Sequence, residues 1–286
     1  MGGSGSAEGA APADTRSGVA RVRALRARAG EGWAAAQAFD EALVVEEPLE
    51  LRIEGQPAAV TMRTPGDDLD LAAGFLYTEG VIDGWDDVAA MAQLDDPLDP
   101  RGNTMHIRLS PGVPALRARA ADRALFASSS CGVCGKASID RVIMKHELLP
   151  LFQPPPVEVV LGMPAALRAA QPRFDATGGL HAAGLFHLDG RLELAREDVG
   201  RHNAVDKVIG ARLRAEACPI PDRLLVVSGR VGMEIVQKAL VARIPGIVSV
   251  GPPSSLAVEL AQAAGMFLAG FVREGRLNRY DRGAPR

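Results

Sequence analysis

Aromatic residues are scarce in this 286-residue chain: two Trp, two Tyr and eight Phe make up 4% of it. Platforms for single-stranded nucleic acid stack bases on aromatic rings, so the composition argues against that class. Charge of one sign is lacking as well. Thirty-two Lys and Arg stand against 35 Asp and Glu, a net charge of -3. That balance supplies no global attraction for a phosphate backbone, and no nucleic-acid partner is expected. Long apolar runs are also missing. The longest nearly apolar run, 263–272, is far short of the roughly 18 residues of a spanning helix, so no membrane partner is expected. The N-terminus lacks the apolar segment of a signal peptide. Three cysteines are too few for a disulfide-stapled secreted fold. The expectation is a cytoplasmic protein with reduced thiols.

What is there is the composition of a globular chain, 47% hydrophobic and 23% charged, able to bury a sizeable core. Residues 1–36 read as a disordered basic tail: Gly- and Ser-rich at first, then Arg16, Arg21, Arg23, Arg26 and Arg28 with few acids. Residues 37–125 read as a small α+β subdomain. Short strands are expected at 43–47, 49–54 and 58–63, divided by Pro48 and Gly55, and another around Met105, Ile107 and Leu109. A helix is expected over 67–78, with Leu69, Ala72, Ala73 and Leu76 on one face. The PLFQPPP run at 150–156 is the most evident punctuation, either a boundary or a rigid loop. Beyond it, in a unit spanning 126–286, strands and helices alternate. A hairpin turns at Asp189-Gly190, helices follow over 203–215, up to Ala242 and over 254–264, and strands lie at 224–227, 246–250 and 266–272. This alternation implies an α/β sheet with a parallel portion inside an overall α+β chain.

Four constellations carry chemistry. In SSSCGVCGK, small residues flank Cys131 and Cys134. A helix expected over 137–145 and Lys136 would favour a thiolate there. Thiol chemistry, half of a zinc site and a structural pair all remain open for a lone CxxC. In TGGLHAAGL, His181 suggests the H-x-E of zinc deaminases. Ala183 stands where the Glu would be, and the CxxC precedes the His instead of following it, so deamination is disfavoured. His181 either lines a site or is a satisfied structural residue. In REDVGRHNAVDK, charges bunch before a helix, and Arg201, His202 and Asn203 at its start suit an anion. The alternative is a solvated helix face. Finally, Ser228, Gly229 and Arg230 follow a buried strand, the usual place for ligands in an α/β sheet. Pro252-Pro253-Ser254-Ser255 follows another.

Together these segments are recognisable. SSSCGVCGK, TGGLHAAGL, EDVGRHNAVDKVIG, SGRVGMEIVQKAL, GPPSSLAVELA, AGFVREGRLNRY and the earlier DLDLAAGFLYTEGVI resemble the FdhD family of formate dehydrogenase accessory sulfurtransferases. The resemblance runs from about residue 40 to the end. It implies a cytidine-deaminase-like mixed sheet with flanking helices and a homodimer. It implies a sulfur carrier that takes persulfide sulfur from a cysteine desulfurase. The acceptor would be a molybdenum (or tungsten) bis(molybdopterin guanine dinucleotide) cofactor of formate dehydrogenase, bound as a substrate. Cys131 matches the persulfide-bearing cysteine and Cys134 its neighbour. Phe271, Val272, Arg273, Glu274, Gly275 and Arg276 match the segment credited with cofactor binding. His181, Arg201, His202, Asn203, Ser228, Gly229 and Arg230 are further candidates for that cofactor, and no tightly held metal of the protein's own is expected. A non-catalytic cofactor chaperone and a zinc-dependent hydrolase are the competing functions.

Overall fold

A computed structural model describes residues 17–94, 99–114, 148–273 and 275–281. The first pair of strands, β1 (Val19–Arg26) and β2 (Gln37–Val44), forms an antiparallel two-stranded ribbon. This corrects the tail expected over 1–36, of which residues 17–36 are described. Two of the arginines there find partners that arrive later in the chain: Arg23 lies 3.6 Å from Asp40, and the Arg26 guanidinium sits 4.0 Å over the Phe39 ring. Composition within one segment cannot register a cross-strand partner beyond it.

A four-stranded sheet follows, in the order β4-β3-β6-β5, from β3 (Glu47–Ile53), β4 (Gln56–Arg63), β5 (Val88–Gln93) and β6 (Thr104–Leu109). Pro48 lies inside β3 instead of ending a strand before it, while the burial of Leu49, Leu51 and Ile53 follows the period of two of a strand with one face on a core. Between β4 and β5 runs α1 (Asp68–Thr78). The expected single apolar face understates it, because every residue from Asp70 to Thr78 is buried.

The larger sheet has six strands in the order β12-β11-β10-β9-β7-β8: β7 (His181–His187), β8 (Leu192–Asp198), β9 (Arg223–Val227), β10 (Gly246–Ser249), β11 (Phe267–Arg273) and β12 (Arg276–Arg279). β9, β10 and β11 are parallel, and the others pair antiparallel to their neighbours. This is the mixed sheet the sequence implies. Both faces are covered, so its central strands read as continuous apolar runs. Leu225, Val227, Ile247 and Leu268 face one core, with α4 (Arg201–Arg214), α5 (Met233–Val241) and α6 (Ser255–Ala264). Leu224, Val226, Val248 and Ala269 face another, closed by Val160, Met163 and Leu167 of α2 (Val157–Ala169). A short helix, α3 (Pro172–Thr177), follows α2.

The two sheets share one core. Leu49, Leu51 and Met105 of the smaller sheet belong to the same apolar cluster as Val205, Val208 and Ile235 of α4 and α5. The tightest joint is between α1 and α4. A Cβ at Gly74 would lie 1.9 Å from the Asp206 carbonyl oxygen, and one at Gly210 1.8 Å from that of Asp70. Backbone meets backbone there, which only glycine permits.

Candidate functional site

Because β9, β10 and β11 run parallel, their carboxyl ends gather at one edge, where α/β sheets bind ligands. The loops after β9 and β10 are laced together. Ser249 Oγ donates to the Gly229 and Gly251 carbonyls at 2.6 and 3.1 Å, Gly251 N–H donates to Gly229 O, and Val231 bridges to Pro253. A Cβ at Gly251 would lie 3.0 Å from Gly229 O. Ser254 then caps α6, accepting the Ala257 N–H at 3.2 Å. Phe271, at the end of β11, joins this lacing: its N–H donates to Gly251 O, and its φ of 53° is in the left-handed region. Such backbone at a non-glycine residue persists only where its surroundings fix it.

β7 runs antiparallel to β9, so its first residue meets the end of β9. Ala183 pairs with Val227, which carries His181 to Gly229. A Cβ at Gly229 would stand 3.2 Å from His181 Nδ1. Ser228 ties the two strands through a pair of bonds to Ala182: its N–H donates to Ala182 O at 3.0 Å, and its Oγ accepts Ala182 N–H at 2.9 Å. His181, Ser228, Val250, Val272 and Arg273 line one wall of a cavity of about 660 Å³. The opposite wall comes from α2 and α3, with Leu161, Pro164, Arg168 and Phe174. Arg168 is fixed there by Asp175 at 2.6 Å and lies 4.5 Å over the Phe174 ring.

Arg273 and Arg276 stand directly opposite each other across the turn into β12, where Gly275 has φ 74°. Like charges in cross-strand register repel, an arrangement suited to a shared anion. Gly275 shapes the turn, and nothing lies within 4 Å of a Cβ placed on it. Phe271, Gly275 and Arg276 are outside the cavity lining, and Val272 and Arg273 are in it.

The EDVGRHNAVDK segment divides in two. Most of its charge is buried scaffolding. Glu197 accepts the Arg173 and Phe174 N–H groups, and the buried Lys207 ammonium sits 2.7 Å from Asp198 and 2.9 Å from Thr64 O. Asp206 meets the buried Lys238 at 2.9 Å and accepts from Thr78 Oγ1. Asn203, one of the candidate ligand residues, bonds into this set. Its amide donates to Met62 O at 2.7 Å and Asp198 Oδ1 at 3.1 Å, and its oxygen accepts from Thr61 Oγ1. A charged run before a helix reads alike whether it faces water or closes onto another element. Arg201 and His202 remain half-buried at the start of α4. His202 Nδ1 is 3.4 Å from Glu234 Oε2, on α5. Burial, then Glu234 acting against it and Arg201 with it, leaves the His202 imidazole below its ordinary 6.5. Burial and the Arg201 guanidinium, with Arg230, lower His181 likewise.

Cys131, Cys134, the helix expected over 137–145 and Glu274 lie outside the described residues. The α2–α3 wall escaped sequence reading altogether, because the PLFQPPP run before it reads as a boundary or a rigid loop and nothing was expected until the hairpin. Pro156 instead precedes the helix and Pro164 is inside it. The signal was the spacing of Val160, Met163 and Leu167, the buried face of α2. Glu234 was missed as well; nothing in its local sequence announces a histidine on a neighbouring helix.

Comparison with known proteins places this architecture. A family model described as FdhD/NarQ matches residues 44–284. The chain is 48% identical over 255 residues to the "Sulfur carrier protein FdhD" of Anaeromyxobacter dehalogenans, covering 86% of this chain and 88% of that one. It is 45% identical over 267 residues to the protein of the same name from Streptomyces avermitilis, covering 91% and 93%. A crystal structure from Desulfotalea psychrophila, described as a formate dehydrogenase accessory protein, shares the fold. Its TM-score is 0.70 at 24% identity, over 93% of this chain and 97% of that one. With the family model matched over most of its length, the chain belongs to the FdhD/NarQ family.

Proposed function

We propose that this protein is a cytoplasmic sulfur carrier, a sulfurtransferase serving formate dehydrogenase. It accepts persulfide sulfur from a cysteine desulfurase on Cys131 and delivers it to a molybdenum or tungsten bis-guanine-dinucleotide pterin held as substrate. The observation that carries the reading is the cavity at the strand ends, in a chain whose relatives are called sulfur carrier proteins. Its volume suits a nucleotide-sized ligand. Leu161, Pro164 and Val272 offer apolar surface to a base, and Arg273, with Arg276 opposite it, offers guanidinium forks to phosphate oxygens.

In the loading step the Cys131 thiolate attacks the outer sulfur of the donor persulfide. The donor S–S bond breaks, the donor cysteine leaves as a thiolate, and Cys131 retains the outer sulfur. Cys134 assists delivery or grips the metal. The two chains of a homodimer would each bring one such cavity, which matches a substrate with two guanine nucleotides.

The test is mass spectrometry after incubation with a desulfurase and cysteine. The Cys131 peptide is expected to gain the mass of a sulfur atom, removable by reductant. Cys131→Ala should abolish both the adduct and activation of formate dehydrogenase. If the Cys131→Ala protein still loads sulfur and still activates the enzyme, Cys131 is not the carrier.

A further inference from the structure

The family match begins at residue 44, where the ribbon of β1 and β2 ends, so the ribbon lies outside it. The body of the protein holds the ribbon at its base: a Cβ at Gly18 would stand 2.9 Å from the Thr64 methyl group, and one at Gly179 3.2 Å from Val44. Beyond that base run eight cross-strand pairs with neither bulge nor proline, joined among the described residues to no third strand. Two strands alone are marginal in water, and a third strand or a packed face is what normally supports them.

One edge of β1 is open, and hydrogen bonds at its start fix which main-chain groups face outward. Gly18 O accepts from Val45 N–H on the β2 side, whereas Val19 turns its N–H and C=O the other way, to the Ser17 hydroxyl at 3.3 and 3.1 Å. These directions alternate along an antiparallel ladder, so the N–H and C=O groups of Arg21, Arg23 and Leu25 also face outward. No other strand among the described residues pairs with them. Side chains alternate as well: Arg21 and Arg23 share one face with Asp40, and Ala20, Val22 and Ala24 share the other with Phe39 and Leu43. Leu25 is 65% exposed, Val22 40% and Leu43 42%. β1 carries three arginines and no acid. Among the described residues Arg21 makes no ion pair, and the pair of Arg23 with Asp40 is exposed.

We propose that β1 is a docking edge for an acidic, extended segment of a partner protein, which adds to the ribbon as its third strand. Main-chain bonds to Arg21, Arg23 and Leu25 supply the attachment, and the side chains select what attaches. A strand laid along β1 brings alternate residues beside Arg21 and Arg23 and the intervening ones beside Val22 and Ala24. It therefore fits where carboxylates alternate with apolar side chains. A second copy of this chain does not fit. Two β1 edges meeting about a twofold axis oppose arginine to arginine. β1 laid on the Asp40 and Glu41 strand of another copy is a head-to-tail contact, which does not close into a dimer. Arginine also guards open edges against aggregation, but a guarded edge has no need of the exposed Val22 and Leu25 beside it. The ribbon is apart from the strand-end cavity, so this docking stands or falls independently of the ligand there.

The experiment is fluorescence anisotropy on the full chain with a labelled Glu-Val-Glu-Val-Glu-Val-Glu peptide as the probe. The same peptide with Lys in place of Glu is the control, and the melting temperature of each variant is checked alongside. The acidic peptide is expected to bind, more weakly as salt rises, and the Lys peptide to fail. The double variant Arg21→Glu, Arg23→Glu should weaken the acidic peptide by about tenfold and bind the Lys peptide instead, a gain that misfolding cannot produce. Leu25→Pro removes one outward N–H and keeps both arginines, at an edge position where a sheet tolerates proline. It should weaken the acidic peptide by about tenfold, and Leu25→Ala by less. A wild type that binds neither peptide, or both alike, overturns the docking edge. Equal binding by Leu25→Pro and Leu25→Ala means that charge alone holds the peptide, and strand addition falls. If sedimentation shows copies of the chain associating, and the double variant dissociates them, the ribbon joins two copies and the acidic partner is overturned.

Discussion

Cys218 shows how far environment, more than residue type, decides chemistry. Its sulfur packs against the main core, 3.9 Å from the Ile209 carbonyl, and burial pushes the thiol up to about 11. At neutral pH almost none of it is thiolate, the form that attacks a persulfide. Cys218→Ala should therefore leave sulfur loading and formate dehydrogenase activation unchanged. Iodoacetamide at pH 8 should label Cys218 slowly in the native protein and readily in urea; rapid native labelling would show that the thiol is neither buried nor inert. His181 and Ser228, read beside apolar strands, and Arg273, implied by the family resemblance, all line the cavity. Asn203 shows what polarity alone leaves open. Its polarity announces a hydrogen bond but not its direction, and here the bonds run inward to Met62 and Asp198.

Elements were legible where their stabilisation is local or their burial complete. α6 was placed at its observed start, where Ser254 caps it, and β9 and β10 from unbroken apolar runs. α2 was not, because proline reads as a breaker even where it merely precedes a helix. The ribbon of β1 and β2 was not, because its arginines look solvated until Asp40 and Phe39 arrive. The α1–α4 joint is the least legible feature: a glycine in a helix pattern reads as a weak former, and its partner helix is more than a hundred residues away. Its consequence is sharp. A methyl group at Gly74 has nowhere to go, since the atom it meets is the backbone carbonyl of Asp206 and not a mobile side chain. Gly74→Ala should destabilise the protein by about 3 kcal/mol or more despite alanine's better helix propensity. Gly162→Ala, in α2 with nothing within 4 Å of the added methyl, should be neutral or stabilising. Urea unfolding of the two variants measures the contrast; equal midpoints would mean that the helices do not touch at Gly74.

At the scale of the whole molecule the sequence divides the chain at residues 125 and 126, and α/β alternation supports that reading of the second part. Packing crosses the division. The shared core, the Gly74–Gly210 joint and the part-buried ion pairs from Asp70 to Arg196 and Arg214 all span the two parts. Long-range partners of this kind are invisible to patterns read within a window. They also bear on function, because α1 holds α4 in place, and α4 presents Arg201 and His202. If the parts were independent, they would unfold independently. The chain carries its own probe for this: both tryptophans, Trp33 and Trp85, lie in the first part, and Trp85 packs against the common core. Far-ultraviolet circular dichroism is weighted toward the helices, and five of the six described α-helices lie in the second part. A shared core predicts one cooperative transition, with tryptophan fluorescence and dichroism giving the same urea midpoint. Gly74→Ala should move both midpoints together. Two separated midpoints, with fluorescence alone responding to Gly74→Ala, would show that the first part folds on its own and that α4 owes its position to the second part alone.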